Sequence, residues 1–195
     1  IESEAQLSQT IDHVLKEGAQ MIRGGIWKMR TSPDAFQGLG HQSLQMIQKT
    51  LRSFKTQLIS EVTDPRQIEI LDDVVSAFQV GSRNMHNYEL LKELGQSKKP
   101  ILLKRGFAAL ISEWLKSAEY LIKGGNDQVI LCERGIRTFE TATRNTLDLN
   151  AVAFIKENTP FPIIVDPSHG VGIRALVPKM ALAATAVGAD GLIIE

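Results

Sequence analysis

The chain has 195 residues, of which 43% are hydrophobic and 23% charged, and its basic and acidic side chains balance at a formal net charge of zero. The length suffices for one domain with a sizeable core, and the composition is that of an ordinary globular protein. Zero net charge indicates neither a nucleic-acid nor a membrane partner, and no apolar run is long enough to span a bilayer. The single cysteine, Cys132, excludes an internal disulfide. A single cysteine suits a reducing, cytoplasmic setting, which is where we expect the protein.

The predicted elements alternate between helices and strands. The first is a helix over 3–17, with Leu7 and Ile11 on one apolar face, and similar faces recur over 111–122 and 176–187. Seven apolar runs are predicted strands: QMIR (20–23), QLISEV (57–62), FQVG (78–81), ILLK (101–104), VILC (129–132), IIVD (163–166) and LIIE (192–195). These runs are continuous rather than alternating, which is typical of parallel strands buried on both faces.

Two α/β architectures fit this alternation: a closed (β/α)8 TIM barrel and an open doubly wound sheet. No glycine-rich dinucleotide fingerprint follows any strand, which weakens the open sheet. Charged residues follow nearly every predicted strand, and in a barrel those strand ends converge on one mouth where active sites lie. They are Lys28, Arg30, Glu61, Arg83, Lys104, Arg105, Arg134, Arg137, Asp166, His169 and Glu195. This convergence favours the barrel.

A complete barrel has eight strand–helix pairs and typically about 250 residues. This chain opens on a helix and stops on a strand, and no low-complexity linker divides it. We therefore expect a single barrel domain over residues 1–195, covering about strands 2–8, with the first strand and the last helix missing.

Cations from four strand ends indicate an anion site. Arg30, Arg83, Lys104 and Arg134 occupy equivalent places in the repeat. Guanidinium groups bind phosphate or carboxylate in bidentate fashion, and lysine supplies a point charge. The hydroxyls of Thr31 and Ser32 add donors beside the first of these cations. The alternative is that each cation is solvated or paired with a nearby carboxylate.

A metal site is a weaker prediction. His169 and Glu195 end neighbouring predicted strands, and imidazole with carboxylate suits a divalent transition metal. Two ligands are too few for a good site, and a hydrogen-bonded structural role for His169 is the alternative. Cys132 lies within an apolar strand, so we interpret it as a small buried hydrophobe.

Five stretches together resemble one enzyme family over nearly the whole chain. They are WKMRTSPDAFQGLG (27–40), VGSRNMHNYELLKELG (80–95), KPILLKRG (99–106), VILCERGIRTFETATRNTLDL (129–149) and IIVDPSHG (163–170). They look like the motifs of the type I-beta class of 3-deoxy-D-arabino-heptulosonate 7-phosphate (DAHP) synthases, and the run over 132–149 is the most specific. The related 3-deoxy-manno-octulosonate 8-phosphate synthases match these loops less well.

The resemblance implies an aldol-type condensation of phosphoenolpyruvate with erythrose 4-phosphate, the first step of the shikimate pathway to aromatic amino acids. By motif, phosphoenolpyruvate is expected at Arg83, Lys104 and Arg134, with Lys28 near its carboxylate. Erythrose 4-phosphate, and its phosphate in particular, is expected at Arg30, Thr31 and Ser32. The catalytic residues would be Lys104 and His169; whether Lys104 or a metal-bound water system handles protons stays open.

The same resemblance implies a divalent metal ion, Mn²⁺ or similar. His169 and Glu195 match two of the family's four ligands, and the other two, a cysteine and an aspartate, would precede Ile1 and follow Glu195. Family members are often homo-oligomers and are often fused to a regulatory or chorismate mutase domain. The chain departs from the family at Met29, where proline is usual. It departs again after His169, where it has GVGIRAL and the family more often has Ala-Thr-Gly-Arg. A catalytically silent barrel that binds a phosphorylated metabolite or acts as a scaffold is therefore the alternative function.

Overall fold

The structure is a computed structural model that describes residues 1–30 and 32–195. The chain divides into two compact units, residues 1–79 and 80–195. The expectation of a single domain stays a prediction.

Parallel strands alternate with helices in the first unit. β1 pairs with β2 (Ile22 opposite Leu58), and β2 pairs with β3 (Ile59 opposite Ala77), both in parallel. The elements are α1 (Glu4–Lys16), β1 (Ile22–Arg23), a 3₁₀ helix (Gly40–Ser43), α2 (Leu44–Phe54), β2 (Leu58–Glu61), α3 (Gln67–Asp72) and β3 (Ala77–Val80), whose last residue opens the second unit. The strands predicted over 20–23, 57–62 and 78–81 are confirmed, although the first is shorter than expected.

Helix α1 forms for the reasons its sequence indicates. The Ser3 hydroxyl accepts a hydrogen bond from the Gln6 amide at 3.2 Å and so caps the first turn. Glu4 lies at the positive end of the helix dipole. Leu7 and Ile11 are buried on the predicted apolar face.

The second unit carries the same parallel alternation. β4 pairs with β5 (Leu103 opposite Leu131), β5 with β6 (Leu131 opposite Ile163) and β6 with β7 (Val165 opposite Leu192). The elements are a 3₁₀ helix (Ser82–Asn84), α4 (Tyr88–Leu94), β4 (Ile101–Lys104), α5 (Ile111–Lys123), β5 (Val129–Glu133), α6 (Leu149–Asn158), β6 (Ile163–Val165), α7 (Pro167–Val171), a 3₁₀ helix (Arg174–Leu176), α8 (Val177–Ala186) and β7 (Gly191–Leu192). The strands predicted over 101–104, 129–132 and 163–166 are confirmed. The strand predicted over 192–195 is shifted to Gly191–Leu192, so Glu195 lies three residues beyond its end.

Helix α5 shows how the strands of this unit are covered. The Glu113 carboxylate accepts a hydrogen bond from the Leu110 amide at 2.8 Å at the start of the helix. Trp114 is fully buried, and its indole N–H donates to the Leu103 carbonyl of β4 at 3.1 Å. Within the described residues, no helix has both the length and the apolar character needed to cross a membrane.

Helix α7 is a short helix at a place where the sequence suggested a loop. It begins directly after β6, where the Asp166 carboxylate accepts a hydrogen bond from the His169 amide at 2.9 Å. Pro167 occupies the first turn, where its missing N–H has no helical partner in any case. This turn fixes Asp166 and His169 on the same side of one short element.

Candidate active site

A connected run of polar side chains lies at the ends of β4 and β6 in the second unit. The Lys104 ammonium donates to Asp166 Oδ2 at 2.5 Å, and His169 Nδ1 lies 2.8 Å from the same oxygen. On the other side of the imidazole ring, His169 Nε2 lies 3.2 Å from Glu195 Oε2. The backbone amide of Glu195 donates to the Ser168 hydroxyl at 3.0 Å, which holds this segment against α7. The structure therefore brings together three predicted site residues, Lys104, His169 and Glu195, through Asp166.

Asp166 carries a stable negative charge at the centre of this run. Its side chain is 1% exposed and that of Lys104 is 6% exposed. Burial alone would raise the pKa of Asp166, but the hydrogen bond from His169 and the charge of Lys104 outweigh it and hold the pKa well below its ordinary value. An ionised Asp166 accepts the proton on Nδ1 of His169, so in neutral histidine the lone pair is on Nε2.

The donor set at His169 Nε2 fits a divalent cation. Nε2 and the Glu195 carboxylate face each other, and two acceptors at this separation are stabilised by a proton or a metal ion between them. Asp166 supplies the hydrogen bond to the second ring nitrogen that metal-bound histidines almost always make. Among the described residues, however, no three His, Cys, Asp or Glu side chains form a metal-binding group. The described residues thus place the two predicted donors side by side and do not form a complete site, so the metal site stays a prediction.

Cys132 takes no part in this donor set. It is fully buried in β5, and burial raises the pKa of its thiol to about 12. A thiol with so high a pKa stays protonated and is a poor nucleophile and metal ligand. The interpretation of Cys132 as a small buried hydrophobe is confirmed.

Arg83 and Arg134 meet at the ring of Phe107. The guanidinium carbon of Arg134 lies 4.6 Å from the ring centroid, and that of Arg83 lies 5.4 Å from it. Arg134 is buried, and desolvation together with the charge of Arg144 lowers its pKa, although Asp166 acts in the opposite direction. Its Nη1 donates to the Gly135 carbonyl at 3.2 Å. The structure therefore brings together two of the three residues predicted to bind phosphoenolpyruvate.

A buried ion-pair cluster fixes the loops that carry Lys104 and Arg134. Arg105 Nη1 lies 3.0 Å from Glu133 and 2.8 Å from Asp148. Glu133 in turn accepts the Gly135 amide at 2.6 Å, immediately after Arg134. Burial raises the pKa of Glu133 against the lowering effect of Arg105. Arg105, one of the cations that the sequence placed at the mouth, is thus paired inside the protein and positions its neighbours.

Gly135 could not be replaced without moving this cluster. Its φ of +89° lies in the left-handed region, and a Cβ there would come within 2.7 Å of Asn145 and 3.0 Å of the Gly170 backbone. The loop after β5 therefore packs directly against α7. This contact places the Arg134 loop beside the helix that carries His169.

The first unit holds the other predicted substrate residues. Lys28 and Arg30 line an open cavity of about 880 Å³. The Arg30 Nε donates to the Phe36 carbonyl at 3.2 Å, and the Ser32 hydroxyl accepts the Asp34 amide at 3.3 Å, outside the cavity lining. Thr31 lies outside the described residues. The structure thus places two of the four predicted residues of this unit, Lys28 and Arg30, on one cavity wall.

An ion pair and an aromatic pair also line this cavity. Arg66 also lines it and is paired with Asp64 at 2.7 Å, and this hydrogen-bonded pair lowers the pKa of Asp64 to about 2. Trp27 lines it too, with its ring 5.2 Å from that of His41 in an edge-on arrangement. Arg66 and Asp64 together add an ion pair to the cavity wall, so they contribute no net charge, and the Trp27 and His41 rings form another part of the wall.

The sequence named Asp166 only as a charged residue at a strand end and did not single out Glu133 or Phe107. The pairings that give these three residues their place in the site join positions that are distant in the chain. Asp166 contacts Lys104 across 62 positions, and Glu133 contacts Arg105 across 28. Phe107 contacts arginines from two other loops. The signal available for Asp166 was its place before Pro167 at a strand end, which is a typical helix cap; for Phe107 there was none.

Comparison with known proteins gives a consistent result over the whole chain. The chain is 44% identical over 195 residues to a phospho-2-dehydro-3-deoxyheptonate aldolase of Thermotoga maritima, covering 100% of this chain and 58% of that protein. It is 30% identical over 181 residues to a 2-dehydro-3-deoxyphosphooctonate aldolase of Desulfatibacillum aliphaticivorans, covering 85% of this chain and 64% of the relative. The chain therefore spans somewhat more than half of the length of these relatives.

Solved structures agree in fold. The crystal structure of the Thermotoga maritima DAHP synthase matches with a TM-score of 0.94 at 43% identity, covering 100% of this chain and 56% of that one. A truncated form of the Thermotoga maritima enzyme matches with a TM-score of 0.91 at 41% identity and 71% coverage of that chain. With the alternating parallel strands, this confirms the predicted α/β class, matching a stretch of a (β/α)8 barrel. The sequence model of the DAHP synthetase I family matches residues 1–195, and the chain belongs to that family.

Proposed function

We propose that the whole protein condenses phosphoenolpyruvate with erythrose 4-phosphate to give DAHP and phosphate, as a transferase of the shikimate pathway. The observation that carries this proposal is the Lys104–Asp166–His169–Glu195 run, with Arg134 on the adjacent strand end, in a chain 44% identical to a named heptonate aldolase. The reaction joins two polyanions, and a cluster of cations at strand ends supports both their binding and their approach.

The phosphoenolpyruvate side of the reaction is assigned to the second unit. Arg83 and Arg134 supply guanidinium groups for the phosphate, and Lys104 supplies an ammonium held by Asp166. The family resemblance assigns Lys28 to the carboxylate. Carbon 3 of phosphoenolpyruvate forms the new bond to the aldehyde carbon, water adds at carbon 2, and phosphate leaves. Cations that are fixed in place stabilise the negative charge that builds up on the phosphate as it leaves.

The sugar phosphate is assigned to the loop after β1. Arg30 lines the cavity of the first unit, and its guanidinium group is suited to a phosphate dianion, whereas Arg66 in the same wall is paired with Asp64. Ser32, and Thr31 outside the described residues, complete the proposed set. This leaves the aldehyde end of the sugar for the reaction with phosphoenolpyruvate.

A divalent ion such as Mn²⁺ is the proposed cofactor, with His169 and Glu195 as two of its ligands. Bound there, it supplies a Lewis acid for the aldehyde oxygen. Asp166 holds the imidazole in the tautomer that leaves Nε2 open for this purpose. A homo-oligomeric state and a fused chorismate mutase or regulatory domain stay predictions.

The test is phosphoenolpyruvate consumption by the full-length protein with erythrose 4-phosphate, first with Mn²⁺ and then with excess chelator. We expect activity with the metal and none with chelator. Activity unaffected by chelator would contradict the metal assignment alone. Faster turnover with arabinose 5-phosphate would assign the protein to the octulosonate reaction. No turnover with either sugar would refute the proposal and support a silent binding barrel.

A further inference from the structure

The ring of Phe107 is the meeting point of three arginines. The guanidinium carbons of Arg83, Arg134 and Arg137 lie 5.4, 4.6 and 4.8 Å from its centroid. Arg83 comes from the 3₁₀ helix after β3, and the other two come from the loop after β5. Three positive charges thus lie within 5.4 Å of one point, on an aromatic ring that is itself half-buried.

Three guanidinium groups this close together repel one another, so other groups must offset that repulsion. The negative face of a phenyl ring attracts a guanidinium group, and each contact is worth roughly a factor of two to five in an equilibrium constant at exposed sites. Within the described residues, neither Arg134 nor Arg137 has a carboxylate at salt-bridge distance, although Arg134 is buried. The ring offsets part of the repulsion, and an anion with several oxygens would offset the rest.

Phe107 is held in place by the loops that it joins. The Arg137 amide donates to the Phe107 carbonyl at 2.7 Å, so the loops after β4 and β5 are linked at this residue. The preceding Gly106 amide points at the sulfur of the buried Met85 at 3.0 Å, two residues beyond Arg83. Three loops therefore converge on Phe107, which fixes the arginines before any ligand arrives.

We infer that Phe107 is the positioning residue of a three-arginine phosphate site, and that Arg137 is its third arginine. The site would take the phosphate group of phosphoenolpyruvate, so this inference rests on the proposed function. Phe107 itself acts through the arginines: it keeps them gathered, so that binding does not have to bring like charges together. Arg137 adds a guanidinium fork that the family resemblance alone did not assign.

The test is calorimetric measurement of phosphoenolpyruvate binding by the full-length protein and its variants. For Phe107→Leu we expect about five- to tenfold weaker binding, and for Phe107→Tyr binding within about twofold of wild type, because only tyrosine keeps the aromatic face. For Arg137→Met we expect roughly tenfold weaker binding from the loss of one charge-assisted contact. Arg137 is exposed, so this variant decides the question even if Phe107→Leu does not fold.

Two matched controls separate this role from general damage. Phe139→Leu removes a ring that is 98% exposed on the loop after β5, which also carries Arg137, and Arg52→Met removes an exposed arginine of α2. Both should bind phosphoenolpyruvate like wild type. Wild-type binding by Arg137→Met, or a Phe107→Tyr defect as large as that of Phe107→Leu, would overturn the inference. Failure of the wild-type protein to bind phosphoenolpyruvate would instead overturn the proposed function.

Discussion

Replacing Asp166 with asparagine tests the centre of the candidate site. The change keeps the size of the side chain and its capping of α7, because asparagine is as good a helix cap as aspartate. One oxygen can still accept the His169 amide, now 2.9 Å away. The other oxygen, which contacts both Lys104 and His169 Nδ1, becomes an amide N–H₂ that faces two donors.

The expected cost follows from the burial of the pair. Asp166 and Lys104 have side chains 1% and 6% exposed, so the substitution leaves a buried ammonium without its carboxylate. Breaking a buried ion pair from one side typically destabilises a protein by about 3–5 kcal/mol. Because the cap is retained, we expect the variant to lose about 3 kcal/mol in free energy of unfolding at pH 7.

The pH dependence has a definite sign. The pKa of Asp166 is lower in the folded protein than its ordinary value, so the unfolded chain binds more protons in the intervening range. The stabilisation by Asp166 is therefore fully present above its unfolded pKa of about 3.9 and is lost as the pH falls further towards the folded pKa. The stability difference between wild type and Asp166→Asn should be constant from about pH 7 to 5 and shrink below about pH 4.

Urea unfolding of both proteins between pH 7 and pH 3 measures this difference. Asp190→Asn is the matched control, because Asp190 also pairs with a lysine, Lys156 at 2.6 Å, and accepts a backbone amide, that of Ile163. Its side chain is 38% exposed, so we expect a loss of no more than about 1 kcal/mol. The reasoning from burial would be refuted if the two variants lost equal free energy of unfolding. It would also be refuted if the stability difference between wild type and Asp166→Asn did not shrink below about pH 4.

Three further predictions concern the substrates and the metal. Arg134→Ala should weaken phosphoenolpyruvate binding about 10- to 100-fold in calorimetry, because a buried bidentate partner is lost; unchanged affinity would remove Arg134 from the site. His169→Ala should abolish Mn²⁺-dependent turnover while circular dichroism stays native, and full activity after chelation and metal return would show that His169 is not a ligand. Arg30→Ala should raise the KM for erythrose 4-phosphate by about tenfold and leave that for phosphoenolpyruvate unchanged, whereas the reverse pattern would exchange the two substrate assignments.

Much of the fold could be predicted because its signals are local. Buried parallel strands such as β4 and β5 read as continuous apolar runs, and α5 carries its apolar face at helical spacing. The short helix α7 was missed, since five residues give no periodicity. Its one signal was the Asp166–Pro167 pair, which is equally common in turns.

The candidate site was predictable in its residue types and not in its pairing. Lys104 and Arg105 are neighbours at one predicted strand end, and the sequence assigned a role only to Lys104. The structure separates them, because Lys104 contacts Asp166 after β6 whereas Arg105 contacts Glu133 and Asp148. Adjacent residues at a strand end point in different directions, so their partners are set by register and loop path. No pattern in a single sequence records the strand register or the path of the loops.

These pairings divide the cations of the second unit by role. Arg105, paired with Glu133 and Asp148, is balanced by two carboxylates and chiefly holds the loops in shape. Asp166 instead holds the ammonium of Lys104 in place at the proposed substrate site. Arg134 and Arg137 lie instead over an aromatic ring, which gathers guanidinium groups without cancelling their charge. A phosphate that enters gains most from Arg134 and Arg137, because it does not have to displace an internal partner. The ring at Phe107 thus lets the protein keep positive charge available at a fixed place.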